Sequence, residues 1–135
     1  MDEDKVNIEM DGAEIFALQE FLDVKNIHKF VSKITDQNLG EIALIALQEI
    51  CQEFMVGENS DEITNFPNLF YSIEIDLNEI QISAILRFLK NVSIDDLHSW
   101  GFKIRISKEI MNSFWCIKDG LNRYIYTNST RNDKD

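Results

Sequence analysis

Glycine, proline and cysteine are all scarce in this 135-residue chain, and acidic residues outnumber basic ones by 24 to 13. The five glycines are isolated from one another, so no glycine-rich loop is present to cradle a phosphate. With one proline and nine phenylalanines, the composition is that of a folded domain rather than a low-complexity chain. Cys51 and Cys116 stand outside any CxxC pattern, so we expect both to be reduced, buried and part of the core.

Long apolar runs are also missing from the sequence. No stretch approaches the roughly 18 residues that a membrane-spanning helix needs. The N-terminus, residues 1–5, is acidic and lacks the basic and apolar regions of a secretory signal. These absences predict a cytoplasmic protein that does not bind a membrane.

Residues that could carry catalysis do not converge in the sequence. His28 lies beside two lysines, and His98 follows Asp95 by three positions with no second histidine or cysteine nearby. Glu49 and Glu53 are one helical turn apart, but the Glu-x-x-His motif of a di-metal bundle is absent. Neither cysteine has a histidine within helical reach to activate it. We therefore predict no enzymatic activity, no catalytic or metal-ligating residue and no cofactor.

Apolar residues in the first half recur at strand spacing and then at helical spacing. They predict one strand and three helices: Val6–Met10, Ala13–Val24, Ile27–Ile34 and Leu39–Val56. Gly57 is the expected C-terminal cap of the third helix. The following segment, Glu58–Asn68, contains the only proline and is expected to be irregular.

The middle of the chain alternates again and then carries two capping boxes. Tyr71–Leu77 predicts a half-buried strand. Asn78 with Gln81 opens a helix that ends near Val92, and Ser93 with Asp96 opens a shorter one closed at Gly101.

The C-terminal third allows two interpretations. Asp119-Gly120 is a strong hairpin signal, with apolar and aromatic segments on both sides that would place Trp115 opposite Tyr124. The expected strands are Phe102–Ile106, Phe114–Ile117 and Arg123–Tyr126. The alternative is a helix over Ser107–Lys118 capped by Gly120, because the apolar positions there also fit a 3.6-residue period. The aromatic content favours the hairpin.

These elements predict an α+β fold in a single domain over residues 1–135. Its helical N-terminal half would pack on an antiparallel sheet from the C-terminal half, with frayed ends at residues 1–4 and 128–135.

Charge is the most informative feature of the sequence. Ile34–Leu86 spans 53 consecutive residues without a lysine or arginine and contains ten carboxylates. One interpretation is an acidic surface that only maintains solubility. The functional interpretation is a patch that binds a basic protein, because anionic groups repel nucleic acid and acidic membranes. The candidate binding residues are Glu41, Glu49, Glu53, Glu58, Asp61, Glu62, Phe66 and Tyr71.

The chain has an acidic stretch, Asp36–Glu79, with aromatic positions around it at Phe66, Phe70 and Tyr71, and it lacks catalytic motifs. In these features and in its size it resembles the small immunity proteins of bacterial polymorphic toxin and contact-dependent inhibition systems. The likeness is one of size and composition. It implies stoichiometric binding of a cognate toxin, expected to be a basic, nuclease-type domain in the cytoplasm, by a monomeric protein.

Two other functions fit the same sequence. A phage-encoded mimic of nucleic acid would inhibit a defence nuclease with carboxylates spaced along an extended face. A structural adaptor or homodimer would instead present a large apolar patch.

Overall fold

The computed structural model describes residues 5–25, 27–56 and 59–133, with the backbone alone described at residues 59–61 and 130–133. The described chain forms these elements in order: β1 (Val6–Asp11), α1 (Gly12–Leu22), α2 (Ile27–Ile34), α3 (Gln37–Phe54), α4 (Asn59–Asn65), β2 (Phe70–Ile75), α5 (Glu79–Asn91), α6 (Ile94–Ser99) and α7 (Ile104–Asp133).

Strands β1 and β2 form an antiparallel two-stranded ribbon with one buried and one exposed face. Val6 lies opposite Ile75 and Ile8 opposite Ile73, and all four side chains are buried. The side chains between them on each strand are exposed. The alternation in the sequence therefore identified both strands correctly, because a half-buried strand requires this period.

The helices predicted in the first half and middle of the chain are confirmed, with ends that shift by one or two residues. The amide oxygen of Asn78 accepts a hydrogen bond from the backbone N–H of Gln81 at 2.8 Å. The side-chain oxygen of Gln81 in turn accepts one from the backbone N–H of Asn78 at 3.0 Å. Ser93 and Asp96 form the same reciprocal pair at the start of α6. Gly101, with φ of +101°, follows the last turn of α6. Gly57, the predicted cap of α3, lies outside the described residues.

The aromatic centre of the core is Phe21 of α1. Its ring centroid lies 5.9 Å from that of Phe88 on α5, 6.0 Å from that of Phe102 and 5.1 Å from that of Phe114 on α7. Helix α7 packs on α1 and β1, while α3 packs on α5 and β2. One continuous set of buried apolar side chains thus joins the ribbon to the helices.

The predicted C-terminal sheet is wrong. Ile104–Asp133 forms one helix, α7, which continues through Asp119 and Gly120 without a turn. Its buried side chains recur every three or four residues at Ile110, Phe114, Ile117 and Leu121. The structure therefore contains the alternative, a helix over residues 107–118, extended at both ends. The expected strand at residues 102–106 and the cross-strand pair of Trp115 with Tyr124 are absent from this described segment.

A contact with β1 explains why the hairpin signal fails. A Cβ atom on Gly120 would lie only 2.6 Å from the backbone oxygen of Asn7, so the glycine lets α7 approach the strand closely. The Asp-Gly signal is local, whereas burial of a whole helical face against the ribbon and α1 is not.

Two smaller differences complete the comparison. Asn59–Asn65 forms α4 inside the segment expected to be irregular. The backbone of residues 128–133 continues α7 where a frayed tail is expected, and residues 1–4, 134 and 135 lie outside the described chain. The α+β class in one domain is confirmed, but its sheet comes from β1 and β2 rather than from the C-terminal half.

Candidate functional site

The three acidic residues predicted to bind a partner on α3 lie at two separate places on the surface. Glu41, Glu49 and Glu53 are all exposed. Glu41 lines a small cavity of about 230 Å³ between α2 and α3, together with His28 and Lys29. Glu49 stands eight residues further along, which is about 12 Å at 1.5 Å per residue. Glu41 therefore shares its cavity with Lys29 and lies apart from the other two glutamates.

Glu49 and Glu53 instead line a groove together with Asp76, which follows β2. The three carboxylates line one groove of about 570 Å³ between the end of α3 and the end of β2. The apolar part of its lining is Met55, Val56 and Ile75, and among the residues that the structure describes no lysine or arginine lines it. Residues far apart in the sequence thus create an acidic groove that also has apolar residues in its lining.

The predicted acidic loop is only partly described. Glu58 lies outside the described residues, and so does the side chain of Asp61. Glu62 is exposed on α4. The structure thus places Glu62 on a short helix that precedes β2 in the chain.

Phe66 and Tyr71 have different surroundings. The Phe66 side chain is 54% exposed. Tyr71 is partly buried, and its hydroxyl shares its proton between the backbone oxygens of Glu62, at 3.2 Å, and Phe66, at 3.1 Å. Tyr71 therefore ties the end of α4 to the ribbon, and its hydroxyl has partners within the chain.

The predicted binding residues do not include Leu69, Phe70 and Asp76, which the structure places at the surface. Leu69 is 50% exposed and Phe70 is 73% exposed. The signal for Phe70 was present, because it shares the outward alternation of Ser72 and Glu74 on β2. No local signal places Asp76 beside α3, because that contact depends on how α3 packs on β2.

Two partly or fully buried ionisable groups, Glu14 and Cys116, lie where β1, α1 and α7 meet. Glu14 accepts the backbone N–H of Asp11 at 2.8 Å, and the thiol of Cys116 donates to Glu14 at 3.5 Å. Burial, and after it the charge of Glu14, raises the pKa of Cys116 to about 12. Burial likewise raises the pKa of Cys51 to about 11. Both thiols therefore stay protonated at neutral pH and are poor nucleophiles.

Within the described part of the chain, no group of three or more His, Cys, Asp or Glu side chains is arranged to hold a metal ion. None of the helices there has an apolar stretch long enough to cross a membrane. Comparisons with models of protein families, with curated proteins and with solved structures find no match for this chain.

Proposed function

We propose that this protein is a non-enzymatic acidic inhibitor of the immunity-protein kind, which binds and neutralises a basic, nuclease-type toxin domain in the cytoplasm. The observation that carries this proposal is the groove lined by Glu49, Glu53 and Asp76. Three acidic residues line it beside apolar side chains that a partner would cover, and no lysine or arginine of the described chain is part of the lining.

The chemistry of the groove selects a class of partner. Clustered carboxylates attract lysine and arginine side chains and accelerate the encounter with a basic protein surface. The same charges repel nucleic acid and anionic membranes. Proteins that handle nucleic acid carry basic surfaces, so a nuclease-type domain fits the groove by charge.

The position of Glu41 supports an immunity protein over a mimic of nucleic acid. A mimic needs carboxylates spaced along an extended face. Here the acidic residues predicted on α3 are separated, because Glu41 lies beside His28 and Lys29 while Glu49 and Glu53 join Asp76. The apolar side chains in the lining of the groove also favour an inhibitor with side-chain anchors over a mimic of the phosphate backbone.

The test begins with affinity purification of the partner from cells that carry the gene, followed by assay of the pure partner. We expect a basic protein whose nuclease activity disappears at one equivalent of inhibitor. The inhibitor alone should show no nuclease, hydrolase or nucleotide turnover after two orthogonal columns. A partner that is not basic, or whose activity is unchanged by saturating inhibitor, contradicts the proposal.

Two charge-reversal variants test whether the groove itself accelerates association with the partner. Changing Glu49, Glu53 and Asp76 to lysine should slow association by at least about tenfold, the scale of electrostatic steering. The matched control changes three exposed acidic residues elsewhere: Glu20, Glu41 and Asp95. Both variants raise the net charge equally, so an equal slowing would mean that only the overall charge matters.

A further inference from the structure

We propose that the partner docks on the outer face of the β1–β2 ribbon and inserts this chain's Phe66, Leu69 and Phe70 into an apolar pocket ringed by lysine and arginine. These three residues are called the anchor cluster below. This inference rests on the proposed function for the basic character of the partner. It adds a binding surface and a source of affinity that the acidic groove does not supply.

The anchor cluster consists of large apolar side chains that are exposed to solvent rather than buried in the core. Its side chains have 54%, 50% and 73% of their surface accessible at Phe66, Leu69 and Phe70. A single exposed apolar residue is ordinary, but three within five residues concentrate exposed apolar surface in one short segment. Aromatic side chains in such patches contribute a large share of the binding energy at protein interfaces.

The backbone beneath the anchor cluster is held in place. Phe66 and Leu69 close a turn through a 3.2 Å backbone hydrogen bond, with Pro67 at the second position where its fixed φ is favourable. The Pro67 carbonyl accepts the N–H of Ala13 at 3.2 Å, and Tyr71 bonds the Phe66 carbonyl. The cluster is therefore preorganised, which lowers the entropy cost of binding.

Exposed acidic residues lie near the cluster, on the same face of the ribbon and on α4. On the exposed face, Glu9 lies opposite Ser72, and Glu74 lies two residues further along β2. Phe70 occupies the same face at the other side of Ser72. Glu62 is exposed on α4, just before the cluster. An apolar centre with an acidic rim complements an apolar pocket with a basic rim.

The same rim argues against a second copy of this chain as the occupant. A two-fold contact would place the same patch on both subunits, so the carboxylates would face one another and repel. The ribbon also leads directly to the acidic groove, because Asp76 follows β2. Phe70 to Asp76 spans about 20 Å of strand, a length suited to one side of a standard protein interface.

The test uses a phage-displayed library of random 12-residue peptides as the probe, panned against the full chain. We expect enriched peptides to combine lysine or arginine with leucine or aromatic residues. Synthetic versions should bind at least tenfold more weakly to the Phe66→Ser/Phe70→Ser variant, as measured by fluorescence anisotropy. Because both side chains are exposed, the variant should keep the circular dichroism spectrum and melting temperature of the parent.

The matched control is Trp115→Ser on α7, which removes an aromatic side chain that is 67% exposed outside the ribbon. Peptide binding should be unchanged by it. The proposed docking surface is contradicted if no basic peptides are enriched, or if both variants lose peptide affinity equally. A dimer, detected by sedimentation equilibrium, that dissociates on changing Phe66 and Phe70 also contradicts it.

The two proposals can fail separately. If peptides bind as expected but no basic partner is inhibited, the proposed function is wrong and the surface stands. If a basic partner is inhibited equally by the parent and the Phe66→Ser/Phe70→Ser variant, the surface is wrong and the function stands.

Discussion

Glu14 is an acidic side chain with only 9% of its surface exposed, at the junction of β1, α1 and α7. Burial raises its pKa, against the opposing effect of its bond from the Asp11 N–H, and the carboxylates of Asp11 and Glu109 add to the increase. The folded protein therefore holds the Glu14 proton more tightly than the unfolded chain does. The stability gained in this way is present below the unfolded pKa and is lost as pH rises through the folded pKa.

We therefore expect Glu14→Gln to reduce the pH dependence of stability. The glutamine keeps an oxygen for the Asp11 N–H and carries no charge to desolvate. The free energy of unfolding of the parent, relative to the variant, should fall between pH 4.5 and pH 7.5 in urea titrations. A difference that stays constant over this range would show that Glu14 titrates alike in both states.

Gly120 tests the packing of α7 on β1. In a helix without this contact, replacing glycine by alanine stabilises by about 1 kcal/mol. Here the new Cβ would lie 2.6 Å from the backbone oxygen of Asn7, so we expect Gly120→Ala to destabilise by about 1–3 kcal/mol. Chemical denaturation gives the sign directly, and stabilisation would contradict the close approach. Asn122→Ala, at an exposed position of the same helix, should be neutral or slightly stabilising.

At the scale of elements, α7 is where two interpretations of the sequence make opposite predictions. In a strand, Trp115 and Ile117 share one face, whereas in α7 Trp115 is exposed and Ile117 is buried. We expect Ile117→Ala to cost about 2–5 kcal/mol of stability and Trp115→Ala less than about 0.5 kcal/mol. If urea unfolding shows that both substitutions lower the free energy of unfolding equally, the hairpin interpretation would be favoured over the helix.

Helix α3 is the element whose prediction depended least on tertiary contacts, and its role in the core gives a further expectation. Its buried side chains run from Ala43 to Phe54 and face α5 and β2. Amides in this range should therefore be among the slowest to exchange with deuterium. Fast exchange in α3, measured beside slow exchange in α2, would show that the core is centred elsewhere.

At the scale of the whole molecule, the two proposed binding features should respond differently to salt. Raising the salt concentration from about 50 to 500 mM shortens the range of charge interactions to a few ångströms, so association with a basic partner should slow steeply. Dissociation should change much less, because it depends on the burial of Phe66 and Phe70. Stopped-flow measurements of both rates test this, and a salt effect confined to dissociation would contradict steering by the acidic surface.

The sequence by itself determined the elements whose physics is local. The strands at β1 and β2 follow from strict alternation, and the capping boxes at Asn78 and Ser93 need only side chains three residues apart. Helix α3 follows from a broad apolar face repeated over five turns. The acidic character of residues 34–86 is likewise a property of composition alone.

Tertiary structure alone decided the rest. Residues 102–126 carry strand signals, and residues 107–118 also carry a helical period. The chain adopts the helix because one face packs on α1 and Gly120 contacts β1. The candidate site has the same origin. Asp76 joins Glu49 and Glu53 only because β2 ends beside α3, and Glu41 is set apart by the packing of α2. A sequence records which side chains are present, whereas contacts between distant residues depend on the shared burial of several elements at once.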